Sequence, residues 1–353
     1  MEKLRSAVIG LGRMGAEPSS RLEGKVPAGW LPISHLEAIQ SICDLTLEAI
    51  CDLNESRMGE IAEIYEVDKK FTNYKELLDQ EKIDFLCIAT RTGERSEIIS
   101  YAISKGTKYI YFEKPVSRSI SECDSIIELA RQNNVVLGYG VNRRYNDVYR
   151  FAKDFIKSGE LGKLMQITIE AGRSNLLWSH PHSTDLILFF ADSVDLEYIQ
   201  GTCSFQDGYL PENNSYIDDD PIIENAYYLF KNGIQAGINL TGGFNVRLGC
   251  SKGILTIYGD GSYIEIKSGS GYFTNHKIID FIPRSSATIN AFRDMVYSKN
   301  DTARLPITPE EIRIGLLMLI GTLQSSLYGG KRISVDQVNH ELIVTGRSGN
   351  SYA

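Results

Sequence analysis

Ser6-Ala7-Val8-Ile9-Gly10-Leu11-Gly12-Arg13-Met14-Gly15 is a short apolar run that ends in Gly-x-Gly-x-x-Gly. A strand that enters such a loop and leaves it as a helix makes the turn that cradles a dinucleotide pyrophosphate. Gly10 allows the tight turn, Gly12 lets the backbone approach the phosphates, and Gly15 permits close packing of helix on strand. Patterns of this kind also occur in ordinary loops, so the surrounding sequence decides. Further apolar strands are expected at 45–51, 85–89, 109–112 and 135–139, with helices at 57–65, 74–79, 97–104 and 120–132. This alternation predicts right-handed βαβ crossovers and a parallel sheet covered on both faces. The stretch 16–31, which carries Pro18, Gly24, Pro27, Gly29 and Trp30, reads as a loop inserted into the first crossover.

After Asn142 the pattern changes. A helix at 147–158 precedes a strand at 164–169, and the turn Lys231-Asn232-Gly233 joins strands at 226–230 and 234–240 into a hairpin. Strands at 253–258 and 263–267 continue in the same manner, and two helices, 287–298 and 309–327, follow. The chain of 353 residues is long enough for two domains. The expected class is α/β: an N-terminal Rossmann dinucleotide-binding domain, 1–142, and a C-terminal α+β domain with an open, mainly antiparallel sheet, 143–353. The tail from Gly346 is expected to fray.

Composition narrows the partners. With 37 Lys+Arg against 45 Asp+Glu the net charge is −8, which disfavours nucleic acid. No apolar stretch approaches the roughly 20 residues that span a bilayer, and the apolar strand after Arg5 is too short for a signal-peptide core. The six cysteines, Cys43, Cys51, Cys87, Cys123, Cys203 and Cys250, lack metal-site spacing and read as reduced, buried thiols of a cytoplasmic protein.

Two further positions bear on the cofactor. Asp52 ends the second strand, where a carboxylate accepts the ribose hydroxyls of NAD and repels the 2′-phosphate of NADP. It lies 37 residues after Gly15, a distance stretched by the insertion; its alternative is a turn cap with Asn54. Tyr111-Phe112-Glu113-Lys114-Pro115 lies at the carboxyl edge of the expected sheet. A lysine there can approach both the nicotinamide and a substrate oxygen and steady a developing alkoxide; the alternative is an exposed Lys114 paired with Glu113.

Gly10-x-Gly12-x-x-Gly15, Tyr74–Leu78 with Ile83-Asp84, Ile88-Ala89-Thr90, Glu113-Lys114-Pro115, Arg144-Tyr145 and Gly159-Glu160-Leu161-Gly162 together resemble the Gfo/Idh/MocA oxidoreductases, over nearly the whole chain. The resemblance implies a Rossmann domain followed by an open-faced sheet domain, assembled as homodimers or homotetramers. It also implies hydride transfer between NAD(P) and a hydroxyl or carbonyl of a sugar, polyol or sugar nucleotide. Within Trp178-Ser179-His180-Pro181-His182-Ser183-Thr184-Asp185, His182 matches the family's acid/base histidine, and Asp185 either orients it or caps the helix. The other reading of His182 is a histidine hydrogen-bonded in the domain junction.

The sequence departs from the family twice. Many members carry an aspartate where this chain has Trp178, which leaves Lys114 and His182 as a reduced pair. Trp178 can then wall the pocket or stack on a sugar, and His180 can supply a polar group. A metal on His180 and His182 is not expected. After the strand at 85–89 the chain reads Thr90-Arg91-Thr92-Gly93-Glu94-Arg95, and Arg91 and Arg95, with Arg143, Arg144 and Arg173, suit an anionic substrate. The same arginines can instead pair with Glu94, Glu97 or the pyrophosphate.

The expected activity is therefore NAD-dependent oxidoreduction of a sugar, sugar acid or polyol, with Lys114 and His182 catalytic. NAD is expected against Gly10, Gly12, Arg13, Met14, Gly15, Asp52, Thr90, Arg91, Glu113 and Lys114, and the small-molecule substrate against Arg95, Arg144, Trp178, His180 and Asp185. The alternatives are a nucleotide-sugar dehydrogenase or reductase and a non-catalytic NAD-binding sensor. Asp218-Asp219-Asp220-Pro221 reads as a solvated rim loop, and Phe205, Tyr209 and Tyr216 as loop packing or a sugar platform.

Overall fold

The computed structural model describes residues 3–346 except 28, 206–208, 210, 212–214, 270–273 and 299–306. Six short strands run in parallel: β1 (Leu4–Ile9), β2 (Leu45–Cys51), β3 (Lys69–Phe71), β4 (Phe85–Ile88), β5 (Tyr109–Phe112) and β6 (Val136–Tyr139). Their order is β3-β2-β1-β4-β5-β6, so the direction of winding reverses between β1 and β4. All residues of β4 and β5 are buried, as a sheet covered on both faces requires. The crossovers carry α1 (Arg13–Ala16), α2 (His35–Gln40), α3 (Glu55–Tyr65), α4 (Tyr74–Gln80) and α5 (Thr92–Ser104), and α6 (Ile120–Gln132) precedes β6. Local chemistry sets these bounds: Ser119 Oγ accepts the Glu122 amide at 3.2 Å, and Ile120, Cys123, Ile126 and Ala130 bury one stripe of α6.

The second half forms α7 (Asp147–Lys157), β7 (Leu164–Glu170), β8 (Ser174–Asn175), α8 (Pro181–Ala191), β9 (Leu196–Ser204), β10 (Tyr216–Ile217), β11 (Ile222–Phe230) and β12 (Gln235–Asn239). It continues with β13 (Asn245–Cys250), β14 (Gly253–Tyr258), β15 (Tyr263–Ser268), β16 (Asn275–Asp280), α9 (Ala287–Tyr297), α10 (Pro309–Leu327), β17 (Ile333–Ser334) and β18 (Ile343–Val344). Ten strands build one sheet in the order β16-β15-β14-β13-β7-β12-β11-β9-β17, with β8 on β11. Only β7 and β12 pair in parallel within it among the described residues. The expected hairpin is present, with Gly233 at φ +85° and Leu229 opposite Gln235. α10 opens on a reciprocal cap, Thr308 Oγ1 accepting from the Glu311 amide and Glu311 Oε2 from the Thr308 amide, and is buried on almost every side. No described helix is long and apolar enough to cross a membrane.

Several elements have no signal in the sequence reading. Lys69–Phe71 is an edge strand with two exposed lysines, and His35–Gln40 is too short to show a period. Asn245–Cys250 and Asn275–Asp280 are rich in polar or exposed side chains. The tail beyond Gly346 lies outside the described residues. Cys51, Cys87, Cys123 and Cys250 are buried as expected, but Cys43 is exposed and Cys203 half-buried; all six are free thiols.

α9 returns to the first sheet. Phe292 is fully buried, with ring centroids 4.8 Å from Tyr111, 5.1 Å from Phe85 and 5.8 Å from His35. A Cβ on Gly138 of β6 would lie 2.2 Å from Met295 Sδ, so the glycine admits the helix. The inserted loop also reaches across: Gly29, at φ +78°, packs against Pro283, and Trp30 lies 5.5 Å from the Arg143 guanidinium.

Candidate active site

The carboxyl edge of the six-stranded sheet carries the cluster. Its ladder runs on past the strands: Gly10 N donates to Cys51 O, Ala89 N to Ile9 O, Glu113 N to Ile88 O and Gly140 N to Phe112 O, at 2.8–3.0 Å. Four loops are thereby fixed side by side at the winding reversal, where open α/β sheets bind ligands.

The three glycines do different work. Gly10 sits at φ +88°, and a Cβ there would lie 2.7 Å from Ala89 O; at Gly15 it would lie 1.9 Å from Gly10 O. Both positions are closed to a side chain. Gly12 is exposed, with an ordinary φ of −69°, and its Cβ would meet nothing within 4 Å. Its lack of a side chain serves no packing in the protein itself, which is what a pyrophosphate cradle at the start of α1 demands. The residues present therefore fit a dinucleotide. Gly12→Val is expected to leave the melting temperature within about 2 °C and to weaken NADH binding by about 100-fold, measured by fluorescence titration.

Asp52 is held at the end of β2, its Oδ2 accepting the Leu11 amide at 2.6 Å and its Oδ1 the Asn54 amide at 2.8 Å. The turn-capping contact with Asn54 thus exists, and the carboxylate also ties β2 to the glycine loop. Arg57, which the sequence did not single out, donates from Nε to Leu11 O at 3.0 Å and pins the loop from the other side. Arg13 and Arg91 are exposed at this edge, and Met14 and Thr90 are half-buried.

Lys114 is half-buried and does not pair with Glu113. Its Nζ donates to Trp178 O at 2.6 Å and stands 3.8 Å from the centroid of the Trp178 ring. Burial, reinforced by Arg95 and Arg143 and opposed by Glu113 and Asp220, brings its ammonium down to about 8. Glu113 is turned the other way, bonding His35 Nε2 at 3.0 Å inside the fold. His35 is a lone histidine on a short helix, and nothing in its sequence context marks it.

His182 lies in the first turn of α8, half-buried, its Nδ1 without a hydrogen-bond partner among the described residues. Burial, with the positive charges of Arg143 and Lys114 nearby, lowers the His182 imidazole well below its ordinary value and holds it neutral. Asp185 does not orient it. The Asp185 carboxylate is buried and pairs with the Arg144 guanidinium at 2.7 Å. Arg144 also meets Glu311 at 3.1 Å.

Three expected substrate contacts point inward. Arg95 is 2% exposed and donates to the carbonyls of Thr90 and Pro115, bracing the loop below Lys114. Arg144 is 1% exposed in its ion pairs. His180 is fully buried, its Nδ1 3.1 Å from Ser183 Oγ and its imidazole pushed down to about 4 by burial. Arg143, the neighbour of Arg144, faces Lys114 and His182; Asp260 of the β14–β15 turn grips it at 2.6 and 2.7 Å, and Phe244 lies 3.8 Å away. The Asp218–Asp220 run is not a solvated loop: Asp219 and Asp220 are buried. Tyr209 Oη accepts the Asp218 amide at 3.0 Å and Phe205 packs on the Tyr209 ring, while Tyr216 is exposed on β10.

The chain also resembles known proteins. Residues 4–141 match the Gfo/Idh/MocA model, described as an oxidoreductase family with an NAD-binding Rossmann fold. Myo-inositol 2-dehydrogenase of Thermotoga maritima is 30% identical over 160 residues, 45% of this chain and 42% of that enzyme, so the match spans less than half of the relative's length. An inositol dehydrogenase homologue from Azotobacter vinelandii, complexed with NADH and myo-inositol, superposes with a TM-score of 0.72 at 16% identity, over 94% of this chain and 98% of that one. An oxidoreductase from Agrobacterium radiobacter, in complex with NAD+, L-tartaric acid and magnesium, gives 0.71 at 14% identity, over 95% and 99%. At those identities the likeness is one of fold. Residues 4–141, the dinucleotide-binding part of the chain, are thus similar to the Gfo/Idh/MocA oxidoreductases.

Proposed function

We propose that this protein is an NAD-dependent dehydrogenase that oxidises a CH–OH group of a polyol or sugar, and runs the reduction by the reverse steps. The observation that carries the reading is Lys114: a half-buried ammonium at the carboxyl end of β5, beside the glycine loop and His182, held by a carbonyl rather than by a carboxylate. When bound, NAD supplies the acceptor for the hydride leaving the substrate carbon. The neutral His182 imidazole takes the hydroxyl proton, and Lys114 holds the same oxygen and stabilises the charge that develops on it. Gly10, Gly12 and Gly15 seat the pyrophosphate, and Asp52 favours NAD over NADP.

The arginines bear on the substrate. Of the five arginines, Arg143 is matched by Asp260, Arg144 by Asp185 and Glu311, and Arg173 by Glu224; Arg95 is spent on carbonyls, and Arg91 is exposed. This supports an uncharged polyhydric substrate over an acid or a sugar phosphate. The reading also takes the protein as cytoplasmic, in keeping with its free thiols, and as a homodimer or homotetramer joined through the large sheet, where Met165 and Ile278 are exposed.

The test is the appearance of NADH when the purified protein meets NAD+ and a panel of cyclic polyols, neutral sugars and sugar acids. Turnover confined to the uncharged members is expected. Since Lys114 acts as a cation, kcat/KM for oxidation should fall above about pH 8 as it loses its proton. A limb that rises there instead would make Lys114, and not His182, the proton acceptor.

A further inference from the structure

The Lys114 ammonium is anchored through Trp178 rather than through a carboxylate. The segment 175–178, just before α8, is held along its length by Asp220 and Pro221. Asn175 Nδ2 donates to Asp220 O at 2.8 Å, and Leu176 N to Pro221 O at 2.7 Å. Leu177 N donates to Asp220 Oδ1 at 2.7 Å, and Trp178 N to Asp220 Oδ2 at 3.0 Å. Asp220 is fully buried, so its two oxygens face amides in a place where unsatisfied charge is costly. On the far side of the same residue, Trp178 O receives the Lys114 ammonium, whose Nζ also rests on the Trp178 ring.

We propose that Asp220 is a positioning residue for Lys114: its carboxylate clamps the Leu177 and Trp178 amides, and the clamped Trp178 carbonyl and ring fix where the lysine points. The clamp acts across elements, from the lead-in of β11 to the end of β5, and it fixes the segment from which α8 delivers His182. The charged or titratable groups around Lys114 are Glu113, Arg95, Arg143, Asp220 and His182, and of these Asp220 alone bonds the turn that holds it. Only the kinetic part of the proposal rests on the dehydrogenase reading.

The chain has two tryptophans, so a Trp30→Phe parent leaves Trp178 as its single indole. Titrating that parent across the Lys114 transition near pH 8 should change the Trp178 emission, and Lys114→Met should abolish the change. In this parent, Asp220→Asn is expected to reduce the amplitude at least about twofold and to lower kcat by about 10- to 100-fold with little change in polyol KM. Asn175→Ala, which removes one outer bond of the clamp, should give a smaller loss in the same direction and provides the readout where Asp220→Asn does not fold. Unchanged amplitude in Asp220→Asn, or in Asn175→Ala where that variant must stand in, overturns the proposal. A lost amplitude in a protein that reduces no NAD+ with any polyol sustains the clamp and sinks the dehydrogenase reading.

Discussion

Replacing Lys114 with Met is expected to lower kcat for polyol oxidation by about 1,000-fold, with NADH binding still measurable by titration. Methionine keeps most of the apolar stem of the side chain, but it removes the donor to Trp178 O, the ammonium over the Trp178 ring and the positive charge beside the reacting oxygen. A large kinetic effect without loss of fold or cofactor would place the loss in the transition state. A loss smaller than about tenfold would remove Lys114 from the chemistry and leave its burial unexplained.

Arg144→Met is expected to destabilise the protein by about 3–5 kcal/mol, read from chemical unfolding monitored by circular dichroism. Arg144 and Asp185 are 1% and 4% exposed in their side chains, and Glu311 is the guanidinium's second partner. Methionine fills much of the space but strands the Asp185 carboxylate, which has no other cation within hydrogen-bond reach among the described residues, while Glu311 keeps its bonds from Thr308. Burial already raises the Asp185 carboxyl to about 6, against the pull of Arg144. With that pull gone it should take up a proton, and the variant's deficit should shrink as the pH is lowered towards 5. Asp185→Asn on the Arg144→Met background should recover part of the loss, because the stranded charge disappears. An isolated Arg144→Met variant as stable as the parent would mean that the triad contributes nothing to holding α8 and α10 together.

The glycine loop and the buried strands of the first sheet were legible because their causes are local. The glycine pattern is a fixed local spacing, with Gly10 at a left-handed φ and Gly15 against the Gly10 carbonyl, and strands such as Tyr109–Phe112 are apolar throughout. What failed to show depended on pairing across the chain. Arg143 and Arg144 are neighbours in one short 3-10 turn, Asn142–Tyr145, where successive side chains diverge by roughly 120°. Sequence cannot say which of them faces the crevice; Asp260, 117 residues away, decides it by gripping Arg143. Asp185 stands one helical turn from His182, which invites pairing, but the guanidinium of Arg144 outcompetes a neutral imidazole for it. The aspartates before Pro221 look solvated in isolation, yet Asp219 and Asp220 are buried, and the amides of Leu177 and Trp178 come to meet the Asp220 carboxylate.

The return of α9 to the first sheet has a bearing on synthesis. Ribosomes deliver β1 to β6 well before residue 287, and until then Phe85 and Tyr111 face a gap that Phe292 will fill. Burying a phenylalanine of this kind stabilises by about 1.5–3 kcal/mol, and Met295 against Gly138 adds further contact. The nascent N-terminal half lacks Phe292 and Met295, so this part of its core can close only once the last quarter of the polypeptide has been made.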